Sequence, residues 1–163
     1  MKIYLVRHAT ASHDAPTDEE RQLTKEGHDE AGLAGRALHA LGVHPEHIFS
    51  SPLIRALQTA DSLAHSLHLG KKVKVLKELI NDHSTAALAR ALHPFYKDSE
   101  LVLVGHEPSL SEHLAAFLGV RRVESFPLGK GSIACVELHG LEHGHGKLLW
   151  LVRQKQLRCW AGD

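Results

Sequence analysis

Short apolar runs rich in β-branched residues alternate along this chain with longer stretches of helical periodicity, and no other feature restricts its fold as much. The runs are KIYLV (2–6), HIFS (47–50), VKVL (73–76) and ELVLV (100–104). ELVLV carries no polar alternation and reads as a strand buried on both faces, as in parallel sheets covered by helices on either side. Strand, helix, strand, helix therefore predicts an α/β fold, a three-layer α/β/α sandwich around a central, mostly parallel sheet. Two later runs, SIACVEL and KLLWLV, complete the sheet, with HGLEHGHG between them as a hairpin loop. No linker, repeat or low-complexity tract interrupts the pattern. At 163 residues the expectation is one domain over 1–163.

The helices have readable ends. Thr24 is placed to N-cap a helix that runs to Leu41, where Gly42 stops it, with Ala31, Ala34, Leu38 and Leu41 on one face. Gly27, Gly32 and Gly35 each weaken that helix by roughly 1 kcal/mol relative to Ala, which suggests close packing on the sheet. The second helix is expected to start with Ser51 as N-cap and Pro52 at its first position, and to end before Gly70. Leu53, Leu57, Ala60, Ala64 and Leu67 form its predicted buried stripe, and Arg55 falls off that stripe in the first turn. A third helix spans about Ser84 to Leu92, and Ser109 with Glu112 has the spacing of a capping box for a fourth.

Composition excludes several classes of function. Lys plus Arg equals Asp plus Glu at 19 each, so no global field recruits nucleic acid or an anionic membrane. Cys135 and Cys159 make no disulfide framework and fit a reducing compartment. The opening residues lack a signal-peptide pattern, and LLWLV is too short to span a bilayer. A soluble, cytoplasmic, monomeric protein is expected. The 15 histidines lower the weight of any single one, and His39, His44, His65, His68 and His113 are assigned a solvated role.

Three strand-to-helix junctions stand out. The first strand ends in Arg7-His8, SSPLIR delivers Arg55 on the first turn after the second, and ELVLV ends in Gly105-His106. Carboxyl ends of parallel strands share one edge, where ligands bind. Two arginines and two histidines on one rim repel each other, and folding does not require them there. A strong anion relieves the repulsion, and arginine forks beside helix N-termini favour phosphate.

LVRHATA, SSPLIRALQTA and LVGHEPSL resemble the three signature segments of the histidine phosphatase superfamily, with its phosphoglycerate-mutase-like fold. QLTKEGHDEA, GSIACVEL and LLWLVRQKQL make the chain most similar to the SixA-type phosphohistidine phosphatases. It departs at Ala9, where the superfamily usually has glycine, and at Gln154, where proline is expected far from the chemistry. The resemblance implies that His8 is a nucleophile forming a transient phosphohistidine, with Arg7, Arg55 and His106 holding the phosphoryl oxygens. His8 must be neutral to attack, and nearby arginines favour that form. Its other ring nitrogen is expected to donate to a backbone carbonyl. No metal or other cofactor is expected, because cationic side chains take the role that magnesium plays in kinases.

The resemblance also places Glu78, in VKVLKEL, where relatives carry a proton donor; a solvated glutamate is the other reading, and Asp82 is a second candidate. An ester leaves as an alkoxide that needs a proton, whereas phosphohistidine leaves as imidazole of pKa about 6.5. The short connections leave little chain for a lid. An open pocket suits a phosphorylated side chain on a protein, such as a histidine-containing phosphotransfer domain. A small phosphorylated substrate hydrolysed as a phosphomonoester, and a non-catalytic module that binds phosphoproteins, are the alternatives. A metal site through His139, His143 and His145 competes with a solvated glycine-histidine loop. PLGKGS is no P-loop, because Gly131 follows Lys130 where serine or threonine is needed.

Overall fold

The computed structural model describes residues 1–70 and 73–161. In chain order the elements are β1 (Lys2–Arg7), α1 (Lys25–Ala40), β2 (His47–Ser50), α2 (Ile54–Ser66) and β3 (Lys74–Val75). A 3-10 turn (Lys77–Leu79), α3 (Thr85–Leu92), β4 (Glu100–Gly105), α4 (Ser109–Leu118), β5 (Ile133–Leu138), β6 (Gly146–Val152) and α5 (Gln154–Ala161) follow. The six strands make one sheet in the order β3-β2-β4-β1-β5-β6. The first four run parallel, while β5 pairs antiparallel with β1 and forms the expected hairpin with β6. The sheet is thus mixed, and its parallel half carries the junctions of interest.

Helices cover both faces, and the two-residue period of the strands decides which side chains meet which helices. Tyr4 and Val6 of β1 with Val102 and Val104 of β4 face Leu33, Ala34 and Leu38 of α1 and Ala56, Ala60 and Leu63 of α2. Ile3, Leu5, Leu101 and Leu103 point the other way, onto Leu88 and Leu92 of α3 and Leu110, Leu114 and Phe117 of α4. β4 lies between β1 and β2. Its residues 101–104 are wholly buried, which is why ELVLV lacks alternation. Each such side chain contributes about 1.5–3 kcal/mol from burial.

Several local expectations need correction. The glycines of α1 serve contacts with α2 and with the chain after β1, not with the sheet. A Cβ on Gly35 would lie 2.6 Å from Ser66 Cβ, and one on Gly27 would lie inside the Thr10 carbonyl. Thr24 caps α1 as expected, its hydroxyl accepting from Gly27 N–H. α2 begins later than predicted, at Ile54, with no side-chain cap. Its buried face is rotated to include Arg55, Ala56, Thr59 and Leu63, leaving Leu53 and Leu57 half-buried. α4 begins at Ser109 without a capping box. VKVL shrinks to a two-residue edge strand, and His113 is buried on α4. His113 Nδ1 meets the Thr85 hydroxyl at 2.9 Å, so it belongs to the α3–α4 contact rather than to solvent. Among the described residues no helix is long and apolar enough to cross a membrane.

Candidate active site

The register of the parallel half assembles the three junctions. Arg7 lies opposite Gly105, so His8 and His106 leave adjacent strand ends, and their ring centroids are 5.0 Å apart. Ser50 lies opposite Val104, which brings Ser51 and the first turn of α2, with Arg55, to the same edge. His8, Arg55 and His106 are 7%, 6% and 3% exposed, and Arg7 is half-buried. The 3-10 turn that carries Glu78 passes close to the end of β4, with Leu79 O against Gly105. Glu78 is half-buried, and among the described residues its side chain has no hydrogen bond or ion pair. Asp82 sits exposed in a turn at φ 70°.

The His8 ring is fixed through its own neighbour. Nδ1 lies 2.8 Å from the Ala9 carbonyl, which can only accept, so the proton is on Nδ1 and the lone pair on Nε2. Ala9 is held in turn, its N–H donating to Thr59 Oγ1, whose hydroxyl donates to Arg55 O. The methyl of Ala9 packs with Ala11, Leu23 and Ala31, so alanine fits where glycine is usual. The next N–H, of Thr10, donates to the buried Glu30 carboxylate. Gln154 is closer to this arrangement than expected. Its amide donates to Glu30 O and Gly131 O, and Gly131 N–H in turn reaches the carbonyls of Arg7 and His8.

Burial dominates the electrostatics. It pushes the His8 imidazole down to about 4, and the Arg55, Arg7 and Arg21 charges act in the same sense against the Ala9 hydrogen bond. His106 is pushed down to about 3 by burial first, then by His8, Arg55 and Arg7. Both rings are therefore neutral near pH 7. Arg7 Nη1 donates to Leu128 O at 2.9 Å, while its Nε, Arg55 Nε and His106 Nδ1 are buried without a partner among the described residues. Buried polar groups are normally satisfied, and donors left unpaired side by side can hold the acceptor atoms of another molecule.

Four contributors escaped the sequence reading. Ser51, assigned as a helix cap, places its hydroxyl 2.6 Å from His106 Nε2 and accepts from Leu53 N–H. Asp18, in the loop after β1, accepts from Arg55 at 2.8 Å and from Arg21 at 2.9 Å. These contacts hold its carboxyl below the usual carboxylate range, Arg21 being the larger influence. Glu107 follows His106 and lies in the field of Arg7. The SSP and DEER strings were the available signals for Ser51, Asp18 and Arg21, but neither string says where a side chain points. Away from this edge, a groove of about 650 Å³ between α1 and α5 contains Lys25, Asp29 and Arg158 and none of the junction residues. Among the described residues no group of three His, Cys, Asp or Glu is arranged to hold a metal. His139 and His145 instead lie near Glu137 and Glu142, at 3.7 and 3.9 Å.

The chain resembles known proteins at several levels. The family model described as the histidine phosphatase superfamily (branch 1) matches residues 3–84, which include Arg7, His8 and Arg55. Phosphohistidine phosphatase SixA of Escherichia coli is 28% identical over 152 residues, 92% of each chain. An uncharacterized protein of Picosynechococcus sp. is 39% identical over 116 residues, 69% of this chain and 70% of that one. A solved structure of the protein histidine phosphatase SixA complexed with tungstate superposes with a TM-score of 0.87 and 25% identity. That superposition covers 96% of this chain and 99% of the other.

Proposed function

The chain belongs to branch 1 of the histidine phosphatase superfamily, and on that premise we propose that it hydrolyses phosphohistidine carried by a protein, such as a histidine-containing phosphotransfer domain. One observation carries the reading. Among the described residues Arg7 Nε, Arg55 Nε and His106 Nδ1 are buried without partners, beside a neutral His8 whose Nε2 lone pair is uncommitted. A tetrahedral oxyanion with several acceptor oxygens matches such a set.

In the proposed reaction the His8 Nε2 lone pair attacks phosphorus. The bond from phosphorus to the substrate imidazole breaks, and its electron pair stays on the departing nitrogen, which takes a proton from water. Arg7, Arg55 and His106 hold the equatorial oxygens while charge redistributes. Water then attacks the phosphorus on His8, inorganic phosphate leaves, and the pair returns to Nε2. Low basicity of both histidines supports the first step, since a protonated His8 has no lone pair to give. An imidazole leaving group makes light demands on a general acid, which accords with a Glu78 side chain that has no hydrogen bond or ion pair among the described residues. Were the substrate an ester, Glu78 is the residue we assign to the leaving-group proton, with Asp82 second.

The test is phosphate release from a phosphohistidine-bearing protein, run beside a simple phosphate ester, with wild type and His8→Ala. Loss from the phosphohistidine protein that vanishes in the variant is expected. Turnover of the ester alone moves the substrate to small phosphomonoesters, and turnover of neither leaves a module that binds phosphoproteins.

A further inference from the structure

Glu107, next in the chain after His106, has no part in the mechanism above, yet its surroundings bear directly on its protonation state. Ser111 lies one turn further along α4. Its hydroxyl oxygen is 2.8 Å from Glu107 Oε1 and 2.9 Å from the Phe126 carbonyl oxygen. A serine hydroxyl has a single hydrogen. It can be shared weakly between these two oxygens or donated fully to one, and a full hydrogen bond at both contacts needs a second hydrogen from the opposite side. The Phe126 carbonyl has none to offer. The arrangement is satisfied when Ser111 donates to Phe126 O and Glu107 donates to Ser111 Oγ, which requires an uncharged carboxylic acid.

We propose that Glu107 stands in this protein as a neutral acid hydrogen-bonded to Ser111, and that its neutrality leaves the charge of Arg7 free for the phosphoryl group. Arg7 is the charged group that faces Glu107, from β1. From α4 the Ser111 hydroxyl and N–H face it, and from the segment before β5 the Leu128 N–H. Its own carbonyl is held by the Asn81 amide at 2.9 Å. Burial raises the Glu107 carboxyl above the usual range, while the Ser111 hydroxyl, Arg7 and the two N–H groups pull the other way.

The consequence is a linkage between a proton and an anion. An ionised Glu107 would place a negative charge beside Arg7 and oppose a bound phosphoryl group. By reciprocity, a bound oxyanion holds the proton on Glu107 more tightly. Glu107 acts through Arg7 and is a positioning residue in the electrostatic sense. The inference rests on reading the pocket as a phosphoryl site.

Tungstate titrated calorimetrically from about pH 7 to about pH 9 tests both levels, because over that range it is a monomeric dianion whose own charge does not change. For wild type the affinity should fall by on the order of tenfold at the basic end. One unit charge about 6 Å from a dianion is worth about a decade at the dielectric constant of bulk water, and more at any lower value. Glu107→Gln keeps an N–H that can donate to Ser111 and should hold the acidic-end affinity throughout. The infrared carbonyl band of an uncharged carboxylic acid should be present in wild type at neutral pH, absent in Glu107→Gln, and reduced in Ser111→Ala. The same pH profile in wild type and Glu107→Gln, or no such band in wild type, overturns the Glu107 inference alone. No tungstate binding by wild type at any pH overturns the pocket reading and this inference with it.

Discussion

Replacing Asp18 with asparagine should tighten phosphate binding, because the substitution removes a charge from Arg55 and leaves acceptors in place. Arg55 Nη2 donates to Asp18 Oδ2 at 2.8 Å, and Nη1 donates to the Asp18 backbone carbonyl, which the substitution does not touch. A phosphoryl oxygen that engages the same fork must displace the carboxylate, so the two anions compete. The Asp18 side chain is 60% exposed and that of Arg55 7%. Water thus screens the pair from the Asp18 side, and its worth is that of a surface ion pair, about 0.5–1 kcal/mol. With about 1.4 kcal/mol per decade, the inhibition constant for inorganic phosphate should fall roughly two- to fivefold in Asp18→Asn. Arg21 and Arg55 keep the carboxylate ionised below its usual range. The difference should therefore hold across neutral pH and shrink as salt is added. The assay is competitive inhibition by inorganic phosphate, wild type against variant, at low and high ionic strength. An unchanged constant would refute the competition. A weaker one would mean that Asp18 positions Arg55, so that losing it costs more geometry than it relieves charge.

Two further outcomes follow from buried groups. Ser51→Ala leaves His106 Nε2 buried without its partner at 2.6 Å, a loss of about 1–3 kcal/mol. That should lower kcat by roughly ten- to a hundredfold and change the His106 ring nitrogen shifts in NMR, and unaltered shifts would sink the assignment. His8, His106 and His113 titrate at about 4, 3 and 4 in the folded protein, burial being the largest cause in each. In the unfolded chain they titrate near 6.5. Below that value the unfolded chain takes up protons that the folded one refuses. Stability is therefore full above about pH 6.5 and declines as pH falls toward about 4. Urea midpoints should show a loss of a few kcal/mol between about pH 7 and about pH 5, and equal midpoints would refute the buried-neutral assignment.

The order of elements, the buried central strand and the gathering of Arg7, His8, Arg55 and His106 at one edge were all legible in the chain. Local patterns carry them. Alternation with period two or 3.6 says which face of an element is apolar, and parallel strands bring their carboxyl ends together whatever the loops do. Even the His8 tautomer was foreseeable, because Ala9 O is its immediate neighbour. Tertiary structure alone decided the rest. Ser51 looked like a helix cap because capping is a local habit, but its partner, His106, is 55 residues away. Asp18 reaches Arg55 across 37 residues, and Gln154 reaches Glu30 across 124. His113 has the sequence context of a surface histidine and is buried only because α3 lies against α4. The proton assigned to Glu107 depends on Phe126 presenting a carbonyl to the oxygen of Ser111. Periodicity describes each element against its own axis. Where two elements cross, and which polar atoms then lack water, is set by how the whole chain packs.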